Sequence, residues 1–568
     1  MAGSDYFAEI AAALAPELGL DEEHVLGLLE RPPKPELGDV GLPCFALAKE
    51  LKKPPNEIAA DLAQRISPPA IVERVASVGP YVNFFLNRAE LARRTLHAVA
   101  EEGERYGGSD EGAGKTVVID YSHPNIAKPF HIGHLRSTII GNALYKIFRF
   151  LGHPCVGVNH IGDWGTQFGK VIAAYRRWGA GLDINKATVG QLVELYVRFH
   201  KEAENDPALE DEAREWHRRI EEGDEEARAL WRAIVDTSIA DFKRTYARLG
   251  IEFDSWAGES FYEDKLDDAI RAAERAGITR VDEGALIVDL SADGMPPFIL
   301  RRSDGASLYS TRDLAAALYR WEKYRFYRML YVVGQPQELH FKQLFRTLEL
   351  MGMDWVERCV HVSFGYIRLP EGTMGSRKGN VILLDEVLDQ AIERTRAIIE
   401  ERNPELENKD EVAEEVGIGA VVFFDLSRRR TKDSVFSWEQ VLNFDGETGP
   451  YVQYCHARLC SVLRKYGRAV DEEAEAGALA TDEEWAVVRL LADFPRTVRQ
   501  AAEEYEPSLV AGYLVQLATA ANAFYQKHRI IDAGTEELTR ARIRLVDATR
   551  QVLANGLGLL GIAAPQSM

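Results

Sequence analysis

The chain divides by the spacing of its apolar residues. FAEIAAALA and HVLGLLE near the N-terminus read as amphipathic helix. The stretch ERPPKPELGDVGLPCFALAKELKKPPNEIAADLAQRI is broken by prolines and then turns helical again, and YVNFFLN at 81–87 alternates like a strand. VVI at 117–119 reads as a short buried strand. A loop interrupted by Pro124 and Pro129 follows. Leu135, Ile139, Ile140, Leu144, Ile147 and Phe148 then recur at about 3.6-residue spacing, which predicts a helix from Ile132 to about Phe150. VGVN at 156–159 reads as a second strand, and GDWGTQFG as a loop entering a further helix. MLYVV at 329–333 leads from a buried strand into a helix, and CVHVSFGYI at 359–367 is the next strand. Strand, loop and helix in alternation predict a parallel nucleotide-binding sheet. Residues 178–290 are acidic and helix-patterned and read as an insertion between the halves of that sheet. From about 390 the chain reads as helical, with a basic run SRRRTK at 427–432.

Composition narrows the class. Of 568 residues, 46% are hydrophobic and 28% charged, the balance of a water-soluble globular protein of several domains. No run of eighteen apolar residues occurs, so no membrane contact is expected, and the acidic N-terminus does not resemble a leader peptide. Five cysteines stand apart without a CxxC pair, which supports neither a zinc site nor a disulfide framework. No metal ligands are assigned, and a reducing cytoplasm is the expected compartment. A net charge of −21 argues against general nucleic-acid affinity but leaves room for a local basic groove.

The chemistry concentrates at the predicted strand-to-helix turn, DYSHPNIAKPFHIGHLRSTIIG at 120–141. Free backbone N–H groups and the positive dipole end gather at a helix N-terminus and favour an anion. His131 and His134, three apart, share a face there, and Gly133 between them offers no obstruction. With Lys128 nearby and no third ligand, this suits a polyphosphate better than a metal. SDEGAGKT at 109–116 nearly spells a phosphate-binding loop, but Ser109 replaces its first glycine and it precedes a strand; it reads as part of a flexible linker. In ASLYSTRDLAAALYRWEKY at 306–324, Ser310 or Thr311 is expected to cap a helix with Asp313 in its first turn. Ser376, Arg377, Lys378 and Gly379 form a compact basic loop before a further helix.

The string SHPNIAKPFHIGHLRSTIIGNAL resembles the HIGH signature of class I aminoacyl-tRNA synthetases, and more specifically that of their arginine-specific family. LYSTRD resembles that family's arginine-binding segment. MGSRKGN resembles its KMSKS loop, departing from the strict motif with Gly375 in the Met–Ser neighbourhood and a lysine out of register. The resemblance covers essentially the whole chain. It implies an α/β Rossmann-like catalytic domain (parallel sheet) with an α+β N-terminal domain and an all-α C-terminal helical bundle that reads the anticodon. The expected division is 1–107 for the N-terminal tRNA-contacting domain, 108–115 for the linker, 116–385 for the catalytic domain with its insertion at 178–290, 386–445 for a helical connector and 446–568 for the anticodon-binding domain.

The implied activity is activation of L-arginine with ATP to arginyl-adenylate and pyrophosphate, then transfer to the 3′ end of tRNA(Arg), with activation requiring bound tRNA. Magnesium should accompany ATP, and family habit favours a monomer. His131, His134, Lys128 and Lys378 would be catalytic. ATP would be held by His131, Gly133, His134, His361, Ser376, Arg377 and Lys378, with Lys128 supplying charge missing from the degenerate loop. Asp120, Asn125, Tyr309, Asp313 and Gln337 would bind arginine. Tyr451, Tyr454, Phe524 and Tyr525 are candidates for stacking on tRNA bases. Another class I synthetase, such as the cysteine enzyme, is disfavoured by the lack of zinc cysteines and by the SPN- and LYSTRD-like strings. An inactive RNA-binding relative is disfavoured by intact His131, His134, Lys128 and Asp313.

Overall fold

The computed structural model describes residues 5–128, 130–305, 308–368, 383–444 and 446–568. The central sheet is parallel and four-stranded, in the order Cys359–His361, Arg328–Tyr331, Val117–Asp120, Cys155–Val158. Val117–Asp120 is buried along its whole length, as expected of an inner strand with helices on both faces. Its C-terminal edge feeds the loop that enters the helix Ile132–Phe150. A crevice at the C-terminal edge of such a sheet is where ligands bind in open α/β folds.

The N-terminal residues build a three-stranded antiparallel sheet of Val40–Pro43, Tyr81–Leu86 and Val72–Val78, in that order, against helices including Tyr6–Leu18, Pro55–Arg65 and Arg88–Glu102. Of these strands, only Tyr81–Leu86 was legible as alternation. The C-terminal part stacks the helices Gly449–Tyr466, Asp482–Glu503, Ser508–Lys527 and Glu536–Leu559. Phe494, Leu514, Leu517, Val552 and Leu553 are fully buried among them.

Three expectations change. The stretch 108–115 is not a loose tether: Ser109 N–H donates to Phe150 O and Gly112 N–H to Leu151 O, fastening it to the end of the helix Ile132–Phe150. The 178–290 insertion is not wholly helical. Beyond Val189–Ala203, Ala208–Glu222 and Glu225–Arg248 it includes the paired strands Thr279–Asp282 and Ala285–Val288, the second of which also pairs with Phe298–Arg301. The two-residue turn Glu283–Gly284, both at positive φ, makes the first hairpin, and four-residue strands bearing Arg280 and Asp282 leave little alternation to read. Finally, 427–437 leaves helical conformation. Ser434–Val435 pairs in parallel with Ile367–Arg368, and Arg430 donates to Ser363 O (2.5 Å) and Tyr505 O (2.9 Å), so the basic run joins the central sheet to the C-terminal helices.

Candidate active site

The loop between Asp120 and His131 carries unusual backbone. Ser122, His123 and Ala127 all have positive φ (80°, 52° and 56°), a region that non-glycine residues seldom occupy. Surrounding contacts impose it: Ser137 Oγ accepts from Ser122 N–H (2.9 Å), and Ser122 Oγ meets the hydroxyls of Thr138 (2.7 Å) and Tyr246 (2.6 Å). Strain held this way clusters at functional sites.

The helix then opens with a reciprocal cap. His131 Nδ1 accepts from Gly133 N–H (3.1 Å), and His134 Nδ1 accepts from His131 N–H (3.2 Å). The rings lie 3.9 Å apart between centroids. A Cβ on Gly133 would come within 2.8 Å of the His131 ring, so glycine permits this stacking over the helix end. Burial pushes the His131 pKa down, helped by the Lys128 charge. Burial, the His131 charge and Lys128 push that of His134 down further. Both imidazoles are therefore neutral at pH 7. With Nδ1 accepting on each, the proton resides on Nε2. The arrangement offers two Nε2–H donors at the positive end of a helix, the chemistry of a phosphate site.

Below it lies a line of carboxylates and imidazoles. Asp120 is buried, and both its oxygens are engaged: Oδ2 accepts from Arg320 Nη1 (2.7 Å), and Oδ1 meets His123 Nε2 (2.8 Å). Burial opposes its charge, yet Arg320 and His123 hold the carboxyl well below its usual range. His160 follows. Its Nδ1 lies 3.2 Å from Ala257 O, which fixes the proton there, and its Nε2 is 3.9 Å from Asp313 Oδ1. Burial lowers the His160 pKa, while Asp120 and Asp313 pull the other way. Asp313 Oδ2 meets His340 Nε2 at 2.6 Å.

The helix carrying Asp313 runs Tyr309–Tyr324, and neither Ser310 nor Thr311 caps it. Both lie inside the helix, their hydroxyls donating to Ile299 O (2.5 Å) and Leu300 O (2.6 Å) of the adjacent strand. Asp313 consequently falls beyond the first turn.

Sequence reasoning missed Glu259. Burial raises its pKa to about 7; Arg312 lowers it in part, and Asp163, Asp313 and Glu263 raise it. It has no ion-pair partner among the described residues, and Arg312 is already bonded to Glu263 (2.5 Å). A half-buried carboxyl facing other carboxylates is short of a cation. Nothing local marks it in the sequence, since it lies in a 3₁₀ turn, Glu259–Lys265, far from any motif. His123, His160 and Arg320 were missed for a different reason: they lie in or beside the stretches 120–141, 156–159 and 306–324, but nothing in the sequence pairs Asp120 with His123 and Arg320 or sets His160 beside Asp313.

The other expected residues are distributed as follows. Asn125 bridges in parallel to Gly162, where a Cβ would stand 2.5 Å from Asn125 Oδ1. The Tyr309 ring is 60% exposed and 4.9 Å from the His340 ring. Gln337 is exposed. His361 stacks on Phe341 (4.5 Å) with its Nε2 2.9 Å from Val333 O. Ser376, Arg377, Lys378 and Gly379 lie outside the described residues. The chain on either side of 369–382 is held at the helix Ile132–Phe150 and its entry: Arg136 donates to Tyr366 O (3.3 Å), and Leu384 N–H donates to Phe130 O (2.9 Å).

At the far end of the molecule, Phe524 is only 2% exposed and belongs to the helical core, so it is withdrawn as a base-stacking candidate. Tyr451 is half-buried, its hydroxyl donating to Thr519 Oγ1 (3.4 Å). Tyr454 and Tyr525 are exposed, and the Arg458 guanidinium lies over both rings at 4.7 and 5.2 Å.

Known proteins share this arrangement. The profile described as tRNA synthetases class I (R), catalytic domain, matches residues 95–438. The chain belongs to the arginyl-tRNA synthetase family. An arginyl-tRNA synthetase N-terminal domain profile matches 5–86, and a DALR anticodon binding domain profile matches 452–568. Arginine–tRNA ligase of Clostridium perfringens is 47% identical over 565 residues, 99% of this chain and 100% of that protein. That of Clostridium botulinum strain 657 is 48% identical over 564 residues, again 99% and 100%. The solved arginyl-tRNA synthetase of Thermus thermophilus superposes with a TM-score of 0.83 at 31% identity, over 99% of both chains. The fold class of this family is the one observed: a parallel catalytic sheet, an α+β N-terminal part and a helical C-terminal part. No helix among the described residues is long and apolar enough to cross a membrane.

Proposed function

We propose that the chain is an arginine–tRNA ligase that activates L-arginine with ATP to arginyl-adenylate and pyrophosphate, then esterifies the 3′-terminal ribose of tRNA(Arg). The observation that carries this reading is the juxtaposition of a two-imidazole phosphate site with a group of carboxylates in which Glu259 has no ion-pair partner among the described residues. In the first step a carboxylate oxygen of arginine attacks the α-phosphorus, and the bond to the β-phosphate bridging oxygen breaks. In the second the ribose hydroxyl attacks the activated carbonyl and AMP leaves.

His131 and His134 would donate from Nε2 to phosphate oxygens as charge develops, a role that relies on preorganised donors. Gly133 keeps that surface open, and Lys128 with Lys378 would neutralise the departing pyrophosphate. Ser376 and Arg377 belong to the same ATP loop. That reading is supported by the flanks of 369–382 meeting the helix that starts beside His131. His361 would border the adenine. Magnesium would arrive on the nucleotide, because no cluster of three His, Cys, Asp or Glu side chains among the described residues could hold a metal ion.

A guanidinium is planar and pairs best with fixed carboxylates. We assign it to Asp313 and Glu259, with Tyr309 as the packing ring, Gln337 as a polar contact and Asn125 toward the substrate backbone. Asp120, engaged by Arg320, would act across His160 through its charge. Tyr454, Tyr525 and Tyr451, with Arg458, would meet tRNA bases. The domains would divide as 1–107, 108–115, 116–385, 386–445 and 446–568, in a cytoplasmic monomer. Pyrophosphate exchange with each amino acid, with and without tRNA, tests the reading: exchange with arginine alone is expected, exchange with another amino acid indicates a different class I specificity, and no exchange indicates an inactive relative.

A further inference from the structure

A cleft of about 840 Å³ opens at the C-terminal end of the helix Ile132–Phe150, between it and the helices Gly449–Tyr466 and Glu536–Leu559. On the first helix the lining residues run from Tyr145 to Phe150, so this cleft lies about 21–28 Å along its axis from the His131 end. Its walls carry Lys146, Arg149, Arg464 and Arg550, against a single acid, Glu104. Of these, only Arg550 is ion-paired among the described residues, to Asp547 (2.8 Å). Arg149 donates to the Tyr145 hydroxyl (3.3 Å) and Arg464 to Gln566 O (3.0 Å), both neutral acceptors. No carboxylate among the described residues lies within ion-pair distance of Lys146, which is half-buried.

Three helix C-termini, ending at Phe150, Tyr466 and Leu559, lie at the cleft, and their dipoles offset roughly half a charge each. With Glu104 and Asp547 also counted, a positive surplus remains. The four cations stand together in an open cleft, Arg149 and Arg464 exposed and Lys146 and Arg550 half-buried, in a chain of net charge −21. Burial and the neighbouring Arg149 both lower the Lys146 pKa, as expected where cations crowd without a counter-ion. The volume is that of a small-molecule site. Clustered positive charge of this kind matches several phosphate groups held close together.

We propose that this cleft binds a small free polyphosphate, up to the size of a nucleoside triphosphate, at a second site separate from the reaction centre. The test uses the full chain and inorganic tripolyphosphate as the probe, with calorimetry on wild type, Lys146→Gln/Arg149→Gln and His134→Ala. The binding event should weaken at least tenfold in the double variant and persist in His134→Ala. Affinity for tRNA and arginine-dependent exchange should stay within twofold in the double variant. Neither replaced side chain is ion-paired, and an unchanged melting temperature would show that the fold is kept. Arg464→Gln provides an independent variant with the same expected direction. Tripolyphosphate affinity unchanged in both variants would overturn the proposal. So would a tenfold loss of tRNA affinity without any tripolyphosphate event, which would assign the cations to the RNA backbone.

Discussion

Arg136 and Asp425 form an ion pair, Nε to Oδ1 at 3.2 Å, in which both side chains are at most 2% exposed. Arg136 lies on the helix that His131 begins, and Asp425 near the end of Lys409–Leu426. Burial pushes the Asp425 pKa up, while Arg136, the Ser434 hydroxyl and Arg428 pull it down. Removing one partner should leave a buried uncompensated charge. Asp425→Ala is expected to destabilise the protein by about 3–5 kcal/mol, and Arg136→Met/Asp425→Leu by much less. Thermal unfolding of the three proteins decides it: a single variant melting with wild type would show the pair contributes nothing.

The cap between His131 and His134 makes a separate claim about protons. Both rings accept at Nδ1 and are held neutral, so Nε2–H is the functional donor. His134→Ala should lower the rate of arginine activation by about 10²–10³, with tRNA affinity near normal. His134→Gln, which can keep a terminal N–H, should retain more. Because the imidazole pKa values lie below 6.5, the activation rate should be level from pH 6.5 to 8 as far as these groups are concerned. A collapse of tRNA affinity in His134→Ala would remove the phosphate role.

These two relationships differ in how they could be read from the chain. The histidine cap spans four residues, so its spacing and the strand-to-helix pattern around it were visible at once. Three of the central strands were equally legible because each is a short apolar run bounded by turn residues, whereas the single strand expected at 359–367 is two, Cys359–His361 in the central sheet and Ile367–Arg368 paired with Ser434–Val435. The partner of Asp120 was not visible: Arg320 is 200 residues away and only the parallel pairing of Val117–Asp120 with Arg328–Tyr331 brings its helix alongside. Ser310 and Thr311 looked like helix caps because hydroxyls favour that position, yet the strand Phe298–Arg301 offered them carbonyls. Phe524 and Tyr525 are adjacent and chemically alike. Which of them reaches solvent is set by helix phase, and the core took Phe524.

That phase leads to a prediction about RNA. Arg458 lies over Tyr454 and Tyr525, and its Nη1 donates to Asn522 Oδ1 (2.7 Å), giving an exposed flat surface of two rings and a guanidinium. Stacking of a base on an aromatic ring contributes roughly 1–3 kcal/mol. Tyr454→Ala and Tyr525→Ala should each weaken tRNA binding about tenfold in a filter-binding assay, with the aminoacylation rate at saturating tRNA within twofold. Phe524→Ala should instead lower the melting temperature. Unchanged tRNA affinity in both tyrosine variants would place the RNA elsewhere.

The pocket itself is best probed through Glu259. Its carboxyl, raised to about 7 by burial and by the charges of Asp163 and Asp313, is half protonated at neutral pH. A guanidinium entering beside Asp313 would favour the ionised form, so arginine binding should release about half a proton at pH 7. Calorimetry in buffers of different ionisation enthalpy measures this release, and Glu259→Gln should abolish it. Both Glu259→Gln and Asp313→Ala should raise the KM for arginine about a hundredfold or more while the KM for ATP moves less than threefold. Without substrate the sign reverses. A carboxyl whose folded pKa exceeds its unfolded value keeps a proton that the unfolded chain has lost between pH 4.5 and 7. Stability therefore falls as pH rises through that window and stays lower above it. Glu259→Gln should thus stabilise the substrate-free protein at pH 8 by on the order of 2 kcal/mol and make no difference below pH 4.5. Equal effects of Asp313→Ala on the two KM values, or arginine binding without proton release in wild type, would remove Glu259 and Asp313 from guanidinium recognition.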